Sequence, residues 1–339
     1  MYLDFYGLAE KPFNLTPDPR FLFLTTSHRE ALAQLTYGVR EGTGFVVLTG
    51  EVGTGKTTLL QTLLQRLGPD VDMAMIVNPM MGFDGLLELI LEDFGSGTGG
   101  DTTAQRLVAL HRFLVQRAAA GRRTVIIIDE AQHLDPPTLE QIRLLSNYES
   151  PSRKLLQIIL SGQPELATKL ALPQMRQLKQ RIGLRCTIHS LTPRETRDYI
   201  ATRLRIAKSP NPRLFTERAM DSVAKYTRGI PRLINVVCEH SLVIGYADQI
   251  RRIDHRVVEE AIRAIEVRER GVGEGQRAWW KLNLGWWRWI VGAGAAALVG
   301  TVGGAAWFAG GTAAIGEVMW AYGSRVTGVL NGVEALLRP

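Results

Sequence analysis

The sequence predicts an α/β fold in which a parallel sheet carries a phosphate-binding loop, followed by a small α-helical domain and an apolar C-terminal span. Three observations predict it. Gly50-Glu51-Val52-Gly53-Thr54-Gly55-Lys56-Thr57 fits G-x-x-x-x-G-K-S/T and lies between an apolar, β-branched run, 45–49, and an amphipathic run, 58–67. Strand, glycine-rich loop, helix is the context in which backbone N–H groups curl around an anion at a helix N-terminus. Thr124-Val125-Ile126-Ile127-Ile128 is continuously apolar and ends in Asp129-Glu130. A strand buried on both faces reads this way, and its carboxyl end opens onto a ligand crevice. From Thr192 to about Arg268 the apolar period is helical throughout.

At 339 residues the chain has room for two or three domains. Its 45% hydrophobic and 22% charged residues are those of an ordinary globular protein. A net charge of +7 permits contact with nucleic acid or an anionic membrane without demonstrating either. Cys186 and Cys238 belong to no CxxC or Cys/His cluster, so no metal–thiolate site is suggested. Met1-Tyr2-Leu3-Asp4-Phe5-Tyr6 has neither the basic nor the long apolar segment of a signal peptide.

In chain order, residues 13–23 are extended and punctuated by proline; Phe13 and Leu15 either lie against a nucleotide base or cover the core. Ser27 caps a helix running to about Arg40, with Glu30 at the capping-box position. The phosphate loop and its helix follow, then a strand over 72–77, a helix over 83–94, a glycine-rich connection, and a long helix over 103–120 closed by Gly121. After the strand ending in Asp129-Glu130 comes another, 155–163. Gln163 first and Ser161 second are placed to touch a γ-phosphate, with Asn147 and Glu149 after them. The basic piece 175–182 precedes a fifth strand, 184–189. There Arg181 is either a solvated basic residue or, in a ring, a finger into a neighbour's nucleotide. Thr192 caps the next helix with Pro193 at N1. Further helices run over 216–227, from Gly229-Ile230-Pro231-Arg232, and over 254–268; Arg232, in a first turn, is placed to reach back toward the γ-phosphate.

The chemistry expected of these residues is nucleotide hydrolysis. Gly50 through Thr58 form the ATP-binding stretch, and Lys56 reaches the β- and γ-phosphates. Thr57 and Asp129 hold Mg²⁺, and Glu130 polarises the attacking water as general base.

Together, the phosphate loop, Ile128-Asp129-Glu130 and Gly229-Ile230-Pro231-Arg232 on a helical lid resemble the AAA+ ATPases. Phe5-Tyr6-Gly7-Leu8, Lys11-Pro12-Phe13, His28-Arg29-Glu30-Ala31-Leu32, Asp129-Glu130-Ala131-Gln132 and Gly162-Gln163-Pro164-Glu165-Leu166 resemble the general secretion pathway protein A (ExeA-type) branch, which includes ATPases of exosortase and exopolysaccharide loci. The resemblance covers residues 1–268. It implies an AAA+ P-loop fold with a five-stranded parallel sheet and α-helical lid, ATP hydrolysis, and assembly into a ring or dimer. It makes Asp129 and Glu130 the Walker B pair, Arg232 sensor 2, and Arg181 or Arg176 the trans-acting finger. ExeA-type proteins typically add a membrane span and a peptidoglycan-binding domain; the expectation here is that the latter is not present in full, which puts wall binding in doubt.

Beyond a polar linker, tryptophans and basic residues (Trp279, Trp280, Lys281, Trp286, Trp287, Arg288, Trp289) precede a charge-free run, 290–316. About 20 apolar residues span a bilayer, and aromatic and basic residues gather at the interface. A single-pass inner-membrane protein with a cytoplasmic ATPase domain is the expectation. The domains are then a nucleotide-binding core (1–190), a lid (191–268), a linker (269–285), a transmembrane helix (286–310), and a tail at the membrane surface or beyond it (311–339). The function expected is a membrane-anchored ATPase that drives or regulates assembly of an envelope secretion or export system. Its partners would be copies of itself, inner-membrane export components and the lipid bilayer. The alternative is a DNA-associated ATPase of the transposition or loader type. The apolar span argues against that, so nucleic acid is not an expected partner.

Overall fold

A computed structural model describes residues 1–16, 18–150 and 154–267. Its elements in order are α1 (Tyr2–Tyr6), α2 (Thr26–Glu41), β1 (Phe45–Gly50), α3 (Lys56–Leu67), β2 (Val71–Ile76), α4 (Phe83–Asp93), α5 (Thr103–Ala119), β3 (Arg123–Ile128), α6 (Pro136–Leu145), β4 (Gln157–Gly162), α7 (Pro164–Leu170), α8 (Arg176–Arg181), β5 (Ile182–Ile188), α9 (Pro193–Ile206), α10 (Glu217–Thr227) and α11 (Pro231–Ala247). A further helical stretch covers 255–267. The linker, transmembrane helix and tail expected at 269–339 lie outside the described residues. Among the described residues, no helix is long and apolar enough to cross a membrane.

The five strands form one sheet in the order β2-β3-β4-β1-β5, every pairing parallel. Parallel order puts all the carboxyl ends on one edge and needs helical crossovers on both faces. The apolar runs show both faces at period two. Phe45, Val47, Ile126, Ile128, Ile158 and Leu160 pack with α4, α5 and α6. Their neighbours Val46, Leu48, Val125, Ile127 and Ile159 pack with α2 and α3. This is why these strands read as continuous rather than alternating.

The lid has its own cluster, in which Tyr199, Ile200, Val223, Ile234 and Val237 surround Tyr6, Leu8 and Phe13 from the start of the chain. Phe13 meets Phe215 edge-on with ring centroids 5.9 Å apart. The N-terminal segment is therefore packed with the lid. Leu15, by contrast, is exposed.

Several boundaries shift from the sequence reading. The cap of α2 is Thr25, not Ser27: the Thr25 side chain accepts from the His28 N–H, while Ser27 Oγ accepts from the His189 N–H. β2 stops before Val77, and Asn78 turns at φ +63°. β4 starts at Gln157, because the Leu155 N–H is bonded back to the Tyr148 carbonyl. β5 starts two residues early, at Ile182, with an irregularity that skips Gly183 against Phe45/Val46. Thr192, Pro193 and Glu195 form the capping box and N1 proline of α9, and Thr216 caps α10.

Candidate functional site

The carboxyl ends of β1, β4 and β3, three adjacent strands, bring the loop, Ser161-Gly162-Gln163 and Asp129-Glu130 together. The loop can take its shape only with glycine at two points. Gly53 and Gly55 sit at φ +79° and +99°, where a Cβ is strained. A Cβ on Gly53 would also fall 2.6 Å from Arg232 Cβ, so the lid rests directly on the loop. The Arg232 N–H donates to the Gly53 carbonyl at 3.2 Å.

Lys56 is buried, and its Nζ donates to the carbonyls of Gly50 and Glu51 at 2.8 and 3.1 Å. Burial pushes its ammonium below the ordinary lysine value, against the pull of Glu130 and Asp129. Asp129, also buried, gathers three donors: Thr57 Oγ1 at 2.6 Å, Ser161 Oγ at 2.7 Å and the Glu130 N–H at 3.0 Å. Glu130 sits at φ +53°. Its Oε2 accepts from Gln132 Nε2 at 2.5 Å and Gln163 Nε2 at 3.3 Å. Burial alone would raise the Glu130 pKa. The two amide donors and the Lys56 charge outweigh it and hold the carboxyl below its usual range, hence ionised at neutral pH.

Of these residues, Lys56, Thr57 and Glu130 line a cleft of about 390 Å³ between sheet and lid. Residues 52–58 form its floor. Asn14, Leu15, Phe21 and Phe23 from the N-terminal arm and Tyr199, Asn235 and Arg232 from the lid also line it. The Arg232 side chain is exposed and has no partner among the described residues. A cationic cleft floored by a helix N-terminus and walled by apolar arm residues suits a nucleotide's phosphates and base. The hydroxyl of Thr57 and carboxylate of Asp129 are hard oxygen donors held side by side, the kind of set that suits Mg²⁺.

The structure brings Gly50–Thr58, Asp129, Glu130, Gln163 and Arg232 into one place. Ser161 is there too, bonded to Asp129 rather than turned to the cleft. Arg181 and Arg176 are elsewhere: both are exposed, and Arg181 ends α8 just before Ile182, which pairs with Phe45 at the opposite end of β1 from the loop. Asn147 and Glu149 lie past the end of α6, at the edge where β4 begins, with Glu149 paired to Lys154. Because α6 runs back from the carboxyl edge, its far end leaves the cleft.

Two cleft residues were not singled out from the sequence. His28 enters the sequence reading through the helix start and the family resemblance, with no role at the site. Arg203, in α9, is buried. It stacks over Phe21 and Tyr199 at 4.9 and 5.2 Å and donates to the Pro12 and Asn14 carbonyls at 3.0 and 3.3 Å, tying the N-terminal arm to the lid. Its helical spacing from Tyr199 was the available signal.

Residues 39–170 match a family described as AAA domain. General secretion pathway protein A of Aeromonas hydrophila is 40% identical over 303 residues, which cover 85% of this chain and 54% of that protein. The chain thus spans about half the length of the curated relative it matches. Among solved structures, the ORC2 protein of Aeropyrum pernix in ADPNP–ADP complexes superposes with a TM-score of 0.57 at 19% identity, over 75% of this chain and 71% of the other. Cdc6p from Pyrobaculum aerophilum gives 0.57 at 16% identity, over 73% and 68%. At those identities the likeness establishes the fold: an α/β P-loop architecture with five parallel strands.

Proposed function

We propose that the chain is an AAA+ protein related to general secretion pathway protein A, and that it is a membrane-anchored ATPase. In this reading, ATP hydrolysis drives or regulates assembly of a bacterial envelope export system. The observation that carries the ATPase reading is the junction at Asp129. It joins the loop through Thr57, β4 through Ser161, and the adjoining ionised carboxylate of Glu130.

The residues divide the work as follows. Loop N–H groups and Lys56 bind the β- and γ-phosphates. Thr57 and Asp129 would hold Mg²⁺, which would neutralise charge on the phosphate oxygens. Glu130 Oε1, which has no donor among the described residues, takes a proton from the attacking water while the amides of Gln132 and Gln163 fix Oε2. Gln163 thereby links the base to β4, next to the γ-phosphate. Arg232 moves with the lid, so its guanidinium couples lid position to the γ-phosphate. Arg181, with Arg176 as the alternative, serves a neighbouring copy, since neither reaches the cleft of its own chain. Membrane anchoring rests on the charge-free run 290–316 and its flanking Trp, Lys and Arg.

The test is ATP binding and phosphate release by the full chain, beside Lys56→Ala, with alkaline extraction of membranes from expressing cells. Wild type should bind and hydrolyse, Lys56→Ala should do neither, and the protein should stay with the membrane pellet. Hydrolysis that survives Lys56→Ala would sink the ATPase reading. Release into the supernatant would sink the anchor.

A further inference from the structure

The segment His28-Arg29-Glu30-Ala31-Leu32 carried part of the family resemblance but has no part in the mechanism above. We propose that His28 is a positioning residue for the phosphate-binding loop, holding the Thr54 carbonyl turned away from the cleft so that the loop's N–H groups already face the phosphates. The inference rests on the loop being a nucleotide site.

A loop whose N–H groups converge on an anion must send its carbonyls outward, and buried carbonyls need donors. Those donors can be traced. Gly50 O and Glu51 O take Lys56 Nζ, and Glu51 O also takes the Thr54 hydroxyl at 2.8 Å. Gly53 O takes the Arg232 N–H from the lid. Thr54 O faces His28 Nε2 at 3.1 Å. Thr54 is 1% exposed and His28 2%, so water is not at hand to replace that bond. A Cβ built on Gly55 would lie 3.6 Å from the same Nε2, which sets the imidazole against the loop where it turns into α3.

The ring is fixed from behind. Its Nδ1 lies 2.7 Å from Thr25 Oγ1, the side chain that caps α2. A carbonyl can only accept, so Nε2 carries a proton, and in the neutral ring Nδ1 then accepts from the Thr25 hydroxyl. Ser27 Oγ accepts the His189 N–H at 3.4 Å, pinning the same turn of α2 to the end of β5. The loop is thus held from the lid by Arg232 and from the start of α2 by His28, each through one carbonyl.

Amide side chains separate this role from core packing. Gln places its amide nitrogen near the imidazole Nε2 and keeps the bond to Thr54; Asn reaches only as far as Nδ1 and loses it. The experiment titrates a fluorescent ATP analogue into the full-length wild type and His28→Gln, His28→Asn and His28→Ala, and measures each protein's melting temperature without nucleotide. Wild type should bind, His28→Gln should stay within about threefold of it, and His28→Asn and His28→Ala should weaken by about tenfold, the loss of one buried hydrogen bond. In steady state the change should fall on KM for ATP rather than on kcat. Equal weakening by Gln and Asn that tracks an equal loss of melting temperature would overturn the proposal in favour of packing, and so would four proteins that bind alike. A wild type that binds no nucleotide would overturn the site reading itself, a result distinct from both. If His28→Ala does not fold, the Gln–Asn comparison decides.

Discussion

Ser161→Ala isolates the junction at Asp129. Ser161 is fully buried at the end of β4, and its hydroxyl donates to Asp129 Oδ1 at 2.7 Å. Among the described residues, removing it leaves Oδ1 with only the Glu130 N–H at 3.0 Å, while Thr57 stays on Oδ2. A hydrogen bond to a buried charge contributes about 1.5–3 kcal/mol. One kilocalorie lowers the melting temperature of a domain this large by about 2–4 °C, so the expected loss is roughly 3–12 °C. The carboxylate also loses one of the three donors that orient it, so the Mg²⁺ concentration giving half-maximal hydrolysis should rise by about tenfold. Thermal melting without nucleotide and a Mg²⁺ titration of phosphate release read the two effects separately. Unchanged melting and an unchanged Mg²⁺ requirement would refute the reasoning, because Asp129 would then be held without Ser161.

Other outcomes follow from the same geometry. Specific ATPase activity should rise with protein concentration in wild type and fall to a flat basal rate in Arg181→Ala, with Arg176→Ala as the comparison; activity independent of both would remove the trans-acting role. Arg203→Lys should lower the melting temperature, because an ammonium cannot stack on Phe21 and Tyr199 while reaching two carbonyls; a melting curve like wild type would contradict that. Burial holds the His28 pKa below its ordinary value, opposed by the Thr54 carbonyl and the Glu195 charge. Unfolded His28 takes a proton from about pH 6.5 downward, and the folded ring takes it only at lower pH. Stability should therefore decline as pH falls below that value, and His28→Gln should flatten this limb of the melting profile. A limb that persists in His28→Gln would assign it to another group.

The candidate site was legible because its parts are local. Residues 50–57 form one loop, and Ile128-Asp129-Glu130 one strand end, so adjacent residues in sequence are adjacent in the cleft. The sheet was legible because burial on both faces leaves the strands unbroken in apolar character. Pairings across the chain were not legible. That Ser161 would turn to Asp129, and Gln163 to Glu130, depends on β4 lying between β3 and β1, an order no single run encodes. His28 and Arg203 were missed for the same reason: each acts on a backbone carbonyl, at Thr54 or at Pro12 and Asn14, and carbonyls leave no mark in a sequence. The cap of α2 was misplaced because Thr25, Thr26 and Ser27 are all good capping residues, and the packing of His28 chooses among them.

Glu130→Gln tests the central claim most directly. The substitution keeps size and removes the negative charge beside Lys56, so the full chain should bind the fluorescent ATP analogue about as tightly as wild type. It should release phosphate about 10²–10⁴-fold more slowly, the usual contribution of a positioned base. Intact binding with that loss makes Glu130 the group that activates water. Phosphate release at the wild-type rate would contradict the account and move the chemistry to another residue of the cleft.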